Sequence, residues 1–327
     1  MENEMVMNKN EKSFLEKAKA FVANPIVRGL LPLLGLVLIV IVFSVLTDGK
    51  IIQPNNLMLI LSQVYVLMIA ASGVFMVMTV GGLDFSQGAI LGLTSIVFCW
   101  VSQYSIGLAI VCSILVGAAM GAFNGFFHVK FKIASFIVTI CTMYLFRGLC
   151  QYITTNGPVA AAPSVVALNQ NWLKVLLTGV VLLIIFFFFR FTRLGADLKA
   201  IGAGETAARF SGSRPDRTKF LVYVAAGAIT GFASFINVIK VGSITGTAGS
   251  QLETQILIAL VLGGMPITGG AKAQFSNILI GTLTYCVLEK SLPMVFPVSA
   301  TQQLVNGIIF LVVVALTIDR KSLRVIK

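Results

Sequence analysis

The sequence predicts an all-α fold: a polytopic transmembrane helical bundle of about ten spans with both termini in the cytoplasm. Three observations support this fold class. Of 327 residues, 57% are apolar and only 11% are charged, whereas a soluble domain carries about a quarter charged residues. Apolar runs long enough to cross a bilayer follow one another along nearly the whole chain. Basic residues cluster in the short segments between these runs, which is the pattern that sets membrane orientation.

The uncharged runs give the spans in order. Residues 85–127 are long enough for two crossings. Residues 254–264 and 275–288 are short, so we expect broken or partly re-entrant helices there, which are tolerated only where protein or a cavity covers the backbone. The other predicted spans are 29–47, 51–83, 133–153, 173–189, 220–239 and 300–318. The chain is therefore expected to hold one transmembrane domain, residues 29–318, between a basic leader, residues 1–28, and a cytoplasmic tail, residues 319–327.

The basic residues decide the orientation of these spans. Ten crossings place both termini on the same side of the membrane, and most of the 24 Lys and Arg residues fall on that side. The side rich in basic residues is normally the cytoplasm. In the leader, apolar residues recur at helical spacing between lysines from Lys12 to Val22. This pattern is typical of a short interfacial helix on the inner leaflet, and a disordered basic tail is the alternative.

Several classes of function have no motif here. The sequence has no GxxxxGK[ST] phosphate-binding loop, no HExxH and no cluster of Cys and His, so ATP binding by this chain, metal binding and enzyme activity are not supported. The five cysteines lie in apolar runs without CxxC spacing and are read as small apolar side chains. His128, the single histidine, is expected to be an interfacial side chain. The net charge of +12 lies between the spans, so it does not indicate nucleic acid.

The first candidate site is a polar, glycine-rich break between two apolar runs. Glycines allow a turn and a close approach of backbones, and Asp84 and Ser86 are natural caps for the helix that begins there. The break is therefore either a capped turn or part of a gate or translocation path. Its candidate residues are Gly81, Gly82, Asp84, Ser86 and Gln87.

A second group of polar residues lies in the fourth and fifth predicted spans. Asn124, Thr139 and Thr142 are candidates for hydrogen bonds between helices or for the lining of a path. Arg147 costs several kcal/mol in hydrocarbon unless it snorkels to the lipid phosphates or faces a polar interior. Acidic residues are scarce in the spans, which suggests that the driving energy enters elsewhere, and sodium coupling through backbone carbonyls is the alternative.

The inner loop, residues 190–219, contains a segment that can form one or two helical turns between glycines. Its small residues Ala207 and Ala208 would present a flat face to a partner. Glu205 and Arg209, at i,i+4, would support the helix. It is either an ordinary connector or a docking element for a motor protein. The candidate docking residues are Gly204, Glu205, Ala207, Ala208, Arg209 and Gly212.

Four stretches together resemble a known family. They are GGLDFSQGA from Gly81, NGFFHVKFKIASFIVTICTMYLFRGL from Asn124, LGADLKAIGAGETAARFSG from Leu194 and VLGGMPITGG from Val261. In this order and spacing, they are similar to the permease subunits of ribose-type (monosaccharide) ABC importers, within the branched-chain amino-acid and ribose permease superfamily. The resemblance covers nearly the whole chain after the leader.

The resemblance implies a multi-pass permease in the bacterial cytoplasmic membrane that moves a sugar by alternating access. It implies a second permease copy or paralogue, a cytoplasmic ABC ATPase that binds the ATP, and an extracytoplasmic sugar-binding protein. The inner-loop segment matches the family's coupling helix. Departures at Ala196 and after Gly269 leave the identity of the sugar open. The alternative is an ion-coupled secondary transporter or channel that works without an ATPase.

Overall fold

The computed structural model describes residues 25–317. Most of the leader and the tail lie outside the described residues, and the predicted interfacial helix lies there too. The first helices are α1 (Pro25–Leu46), α2 (Pro54–Thr79), α3 (Gln87–Ser102), α4 (Ile106–Lys130), α5 (Ser135–Ile153), α6 (Pro163–Val166) and α7 (Asn171–Phe191). They are followed by α8 (Arg193–Ala203), α9 (Glu205–Phe210), α10 (Pro215–Val241), α11 (Leu252–Leu262), α12 (Ser276–Val295) and α13 (Ser299–Thr317). The predicted all-α class is confirmed.

Within residues 25–317, six helices are long and apolar enough to cross a membrane: α2, α4, α5, α7, α10 and α12. Four shorter apolar helices accompany them, within α1, α3, α11 and α13. The short helix predicted near 254–264 is present as α11, with 11 residues. The run predicted to end at residue 288 is longer, because α12 continues to Val295. Glu289 therefore lies inside a helix rather than at its boundary.

The closest helix packing is between α4 and α10. Gly117 and Gly121 on α4 face Gly227 and Gly231 on α10, and a Cβ atom on any of the four would collide with backbone atoms of the opposite helix. This is a GxxxG contact made from both sides, which lets two backbones approach closely. Larger side chains would separate the helices, so the glycine spacing fixes how α4 crosses α10.

Helices α2 and α10 form the centre of the bundle. In each, 67% of the apolar stretch is buried inside the protein, against 22% for α7. The outward residues of α7, including Leu183 and Phe187, are large and apolar, as expected for a surface that faces lipid tails. The fold therefore places its most protected helices where polar groups can be held away from lipid.

A short antiparallel pair of strands connects two segments at one end of the bundle. β1 (Val159–Ala160) follows α5, and β2 (Ser243–Ile244) follows α10, with Val159 opposite Ile244. Because these strands follow the C-terminal ends of their helices, α5 and α10 point to the same side of the bundle.

Candidate translocation site and coupling loop

A buried polar network surrounds the Asp84 carboxylate, which is fully buried. Its Oδ1 accepts hydrogen bonds from the backbone N–H and the hydroxyl of Ser86 at 2.9 and 2.6 Å, and its Oδ2 accepts one from Gln87 Nε2 at 2.6 Å. Gln87 Oε1 accepts a hydrogen bond from Thr230 on α10. Asn124 Nδ2 on α4 donates to Ser86 Oγ at 2.7 Å. The network thus ties the start of α3 to two other helices.

The segment before α3 is also bound to the start of α5. The backbone N–H of Leu83 donates to Ser135 Oγ at 3.0 Å, and that of Phe85 donates to Thr139 Oγ1 at 3.1 Å. These two hydroxyls satisfy backbone groups that the non-helical segment 82–86 leaves without helical partners. The hydroxyl of Thr142 donates to the Thr139 carbonyl of its own helix. Thr139 therefore joins the predicted site residues, whereas Thr142 makes a bond within α5.

The glycine pair ends α2 in a specific way. Gly81 has a φ of 82°, and the N–H groups of Gly81 and Gly82 bond back to the Met78 and Val77 carbonyls, as in a Schellman motif. The predicted side-chain cap by Ser86 is wrong. Ser86 holds the N-cap position with helical backbone angles and makes no capping bond, because its oxygen accepts from Asn124 Nδ2 while its O–H donates to Asp84. Asp84 itself accepts the backbone N–H of Ser86 just before the helix.

Arg147 faces the protein interior rather than the lipid phosphates, so the snorkelling alternative is wrong. Its Nη2 lies 3.5 Å from Glu253 Oε2, and these side chains are only 16% and 10% exposed. The guanidinium also donates to the carbonyls of Ala248 and Gly249, at 3.5 and 3.3 Å. A Cβ atom on Gly88 would collide with both Glu253 and Gly249. The ion pair therefore packs directly against the first turn of α3.

The inner loop contacts the end of α2 through glycines. We name this contact the glycine junction, and its residues are Thr79, Gly81, Gly202, Gly269 and Gly270. The N–H of Gly270 donates to the Thr79 carbonyl at 3.0 Å. A Cβ atom on Gly202 of α8 would collide with that carbonyl and would lie 2.6 Å from the Gly270 nitrogen. A Cβ atom on Gly269 would likewise collide with the Met78 carbonyl in the last turn of α2 and would lie 2.9 Å from the Gly81 nitrogen. The inner loop, the end of α2 and the 266–270 turn therefore meet backbone to backbone.

The predicted docking segment is helical, as α9, but its two alanines do not face the same way. Ala208 is 2% exposed and packs into the protein, whereas Ala207 is exposed. The prediction that both alanines form the outer face is wrong, because the six-residue helix lies against the bundle and buries one side. Phe210 is 89% exposed and was missed by the sequence analysis. Gly212, with a φ of 89°, terminates α9.

Ion pairs hold α9 in place. Glu205 Oε2 accepts a hydrogen bond from Lys219 Nζ of α10 at 2.7 Å, and its Oε1 lies 3.4 Å from Arg209 Nη2, which confirms the predicted i,i+4 pair. Arg209 also lies 3.5 Å from Asp216. The hydrogen bond from Lys219 lowers the pKa of the Glu205 carboxyl, so the group is charged at neutral pH. The Glu205–Lys219 contact joins the N-terminal end of α9 to α10, and the Arg209–Asp216 contact joins its C-terminal end to α10.

The structure brings Asp84, Ser86, Gln87, Asn124 and Thr139 together. It also adds residues that the sequence analysis did not select. Thr230 carries no local motif, and Gly202 belongs to the 194–212 stretch but was not selected there. The fold places Thr230 in the polar network and Gly202 at the glycine junction. Glu253 could have been proposed as a partner of Arg147, since a charge within a membrane span usually has one.

Comparisons with known proteins identify the family of this chain. Residues 56–314 match the family described as "Branched-chain amino acid transport system / permease component". The ribose import permease protein RbsC of Escherichia coli K12 is 30% identical over 302 residues, which cover 89% of this chain and 93% of that protein. RbsC of Bacillus subtilis 168 is 32% identical over 301 residues, covering 89% and 92%.

A fructose import permease protein, FrcC of Rhizobium meliloti, is 26% identical over 325 residues, covering 94% of this chain and 89% of that protein. No solved structure shows a significant match. The family match spans most of the chain, and the similar proteins align over nearly their whole length. The chain therefore belongs to the branched-chain amino-acid transport permease family.

Proposed function

We propose that this chain is the membrane-spanning permease subunit of an ABC importer, and that it provides the path for a sugar or related small polar solute. The single observation that carries the proposal is the end-to-end similarity to ribose import permeases. In this proposal, partner ATPases bind and hydrolyse ATP, and the chain performs no chemistry on the solute. The proposed partners are a cytoplasmic ABC ATPase, an extracytoplasmic sugar-binding protein and a second permease copy or paralogue.

The proposed contact with the ATPase is the exposed face of α9. Thr206, Ala207 and Phe210 are exposed on this helix, and an exposed aromatic side chain is a common energetic centre of an interface. The buried Ala208 and the Glu205–Lys219 ion pair fix α9 to the bundle. A force applied to α9 would pass through α8 to the glycine junction, and from there to the end of α2.

The proposed topology has ten crossings in the bacterial plasma membrane, with both termini in the cytoplasm. The six long helices and the four shorter apolar ones supply this number if each crosses once. Single cysteines at the exposed positions Asn156 and Thr206 test the orientation. A membrane-impermeant thiol reagent added to intact cells should label Asn156→Cys and not Thr206→Cys. Labelling of Thr206→Cys alone would overturn the proposed orientation.

Buried carboxylates favour a second candidate, an ion-coupled transporter. Asp84 is fully buried, Glu253 is 8% exposed, and Glu289 lies within α12. Carboxylates at membrane depth often form proton or sodium paths. The three are engaged with a hydrogen-bond network, with Arg147 and with Gln255 respectively, which explains their burial without an ion. The importer proposal therefore has the stronger support.

The test is a pull-down of the tagged chain from native membranes, with mass spectrometry and an ATP hydrolysis assay. We expect a P-loop ATPase at comparable stoichiometry. Phe210→Ser should lower ATPase recovery about 30-fold if this side chain is an energetic centre of the interface, with an unchanged amount of chain in the membrane. Tyr104→Ser is the matched control, because Tyr104 is an aromatic side chain with the same 89% exposure in another loop. Purification without any ATPase would contradict the proposal.

A further inference from the structure

A groove lies between the end of α4 and the start of α10, with a volume of about 380 Å³. Both helices are long and apolar enough to cross a membrane. The groove therefore lies at the level where two membrane spans end. Its lining residues come from one face of each helix and are Phe126, Val129, Lys130, Asp216, Arg217 and Phe220.

The lining changes from apolar to basic towards the helix ends. Phe126 and Lys130 are four residues apart on α4, and Arg217 and Phe220 are three apart on α10, so each pair shares a helix face. At 1.5 Å per residue, the aromatic residue of each pair lies about 4–6 Å deeper than the basic one. α4 ends at Lys130 and α10 begins at Pro215, so both basic residues are nearer the water. A phospholipid has the same order, with a charged headgroup above its acyl chains.

The two basic side chains of the groove are available to an anion. Lys130 and Arg217 are exposed, and neither has an acidic partner within the described part of the chain. The acidic residue of the lining, Asp216, lies 3.5 Å from Arg209 of α9, so its charge is balanced from outside the groove. Basic residues next to the end of a membrane helix attract anionic lipids. The groove therefore carries an excess of positive charge at the level of lipid phosphates.

The floor of the groove is apolar and suits an acyl chain. Phe126 is 48% exposed, and its ring contacts that of Phe131 edge to face, with centroids 5.8 Å apart. Val129 and Phe220 are partly exposed beside it. Lipid tails are as apolar as these side chains, so an acyl chain can cover them. A soluble partner could reach only the basic rim, which favours a lipid over a protein.

We propose that this groove binds one anionic phospholipid, with its phosphate between Lys130 and Arg217 and an acyl chain along Phe126 and Phe220. The inference goes beyond the proposed function, because it does not depend on which solute is transported or on what drives transport. The bound lipid lies beside the inner loop, since the lining residue Asp216 contacts α9.

Fluorescence quenching of a single tryptophan in the groove tests the lipid site. The chain carries Phe126→Trp after replacement of its two native tryptophans, Trp100 and Trp172, by phenylalanine. It is reconstituted in phosphatidylcholine nanodiscs with a small fraction of brominated phosphatidylglycerol or brominated phosphatidylcholine. Two basic residues that each add about fivefold in affinity predict a preference of about 25-fold for phosphatidylglycerol. Leu115→Trp on the same helix is the control: it is 62% exposed outside the groove, so both lipids should quench it equally.

Charge removal shows whether the preference comes from the groove. Lys130→Gln and Arg217→Gln, each in the Phe126→Trp chain, should lower the preference about fivefold, and the double change should remove it. Arg190→Gln is the matched control, because it removes an exposed basic residue at the end of another membrane helix, α7, and it should leave the preference unchanged. Equal effects of Arg190→Gln and Lys130→Gln would indicate a diffuse surface charge and overturn the site.

Three further results would overturn the proposal. Equal quenching of Phe126→Trp by the two brominated lipids would exclude the selection of an anionic lipid. Relief of the quenching by free glycerol 3-phosphate would assign the groove to a soluble phosphate compound. Relief by an ATPase recovered with the chain from native membranes would assign the groove to a protein surface.

Native mass spectrometry covers the case in which Phe126→Trp does not fold. The wild-type chain, purified in micelles that contain phosphatidylglycerol and phosphatidylcholine, should retain one more phosphatidylglycerol than the chain with Lys130→Gln and Arg217→Gln. Both changes are at exposed side chains, so the double variant should keep the fold. Equal numbers of bound phosphatidylglycerol molecules in the two chains would overturn the proposal.

Discussion

The glycine junction predicts that Gly202→Ala weakens both stability and transport. The added methyl would lie 2.6 Å from the Gly270 nitrogen and 2.9 Å from its Cα, and closer still to the Thr79 carbonyl. Ordinary contact begins at 3.4 Å, so backbone on both sides must withdraw. Overpacking of this kind costs about 1–3 kcal/mol, and the helix propensity of alanine returns up to about 1 kcal/mol. When the full helix-propensity gain is subtracted, the net loss is about 0–2 kcal/mol.

Gly179→Ala is the matched control for this prediction. Gly179 lies inside α7, and nothing stands within 4 Å of the position of its Cβ. The control should gain up to about 1 kcal/mol, since alanine is the better helix former. The assays are thermal unfolding in detergent and ATP-driven uptake by the assembled complex. Equal melting temperatures and equal uptake for Gly202→Ala and Gly179→Ala would refute the reasoning.

Three further predictions concern the charged residues. Asp84→Asn should cost about 1–3 kcal/mol, because the amide nitrogen cannot accept one of the hydrogen bonds that Asp84 receives; an unchanged melting temperature in detergent would contradict this. Glu253→Gln should cost about 3–5 kcal/mol by leaving the Arg147 charge buried without its partner. The double change Arg147→Met with Glu253→Leu should be less unstable, and equal losses would argue against the ion pair. The Lys219 hydrogen bond lowers the pKa of Glu205. The stabilisation of α9 by the charged Glu205 is therefore complete above the ordinary carboxyl pKa of 4.5, and it is lost as the pH falls through the lowered pKa. Fluorescence of Phe210→Trp should change only in that acidic range, and Glu205→Gln should abolish the change.

Composition and charge placement were enough to predict the class of fold. The hydrocarbon core demands long apolar helices, so the runs are visible in the sequence. The polar break at Gly81 and the helix at Glu205 were also visible, since glycines and polar residues interrupt those runs. The end of α12 was predicted too early in the chain. A charged residue such as Glu289 indicates the end of a membrane span when its hydrogen-bond partner, here Gln255, is not known.

Long-range partners could not be predicted in the same way. The bond between Gln87 and Thr230 joins residues more than 100 positions apart, and no local pattern relates them. The inward side of Ala208 depends on how α9 lies against the bundle, which its six residues do not specify. In contrast, Gly117, Gly121, Gly227 and Gly231 carry a readable GxxxG spacing, and their contact was within reach of the sequence.

The most direct test of the central claim is uptake of a labelled sugar into proteoliposomes that contain the permease, its ATPase and the binding protein. The account predicts uptake that requires ATP and all three components, and that an ionophore leaves unchanged. Uptake by the permease alone, driven by an ion gradient and abolished by the ionophore, would contradict the account.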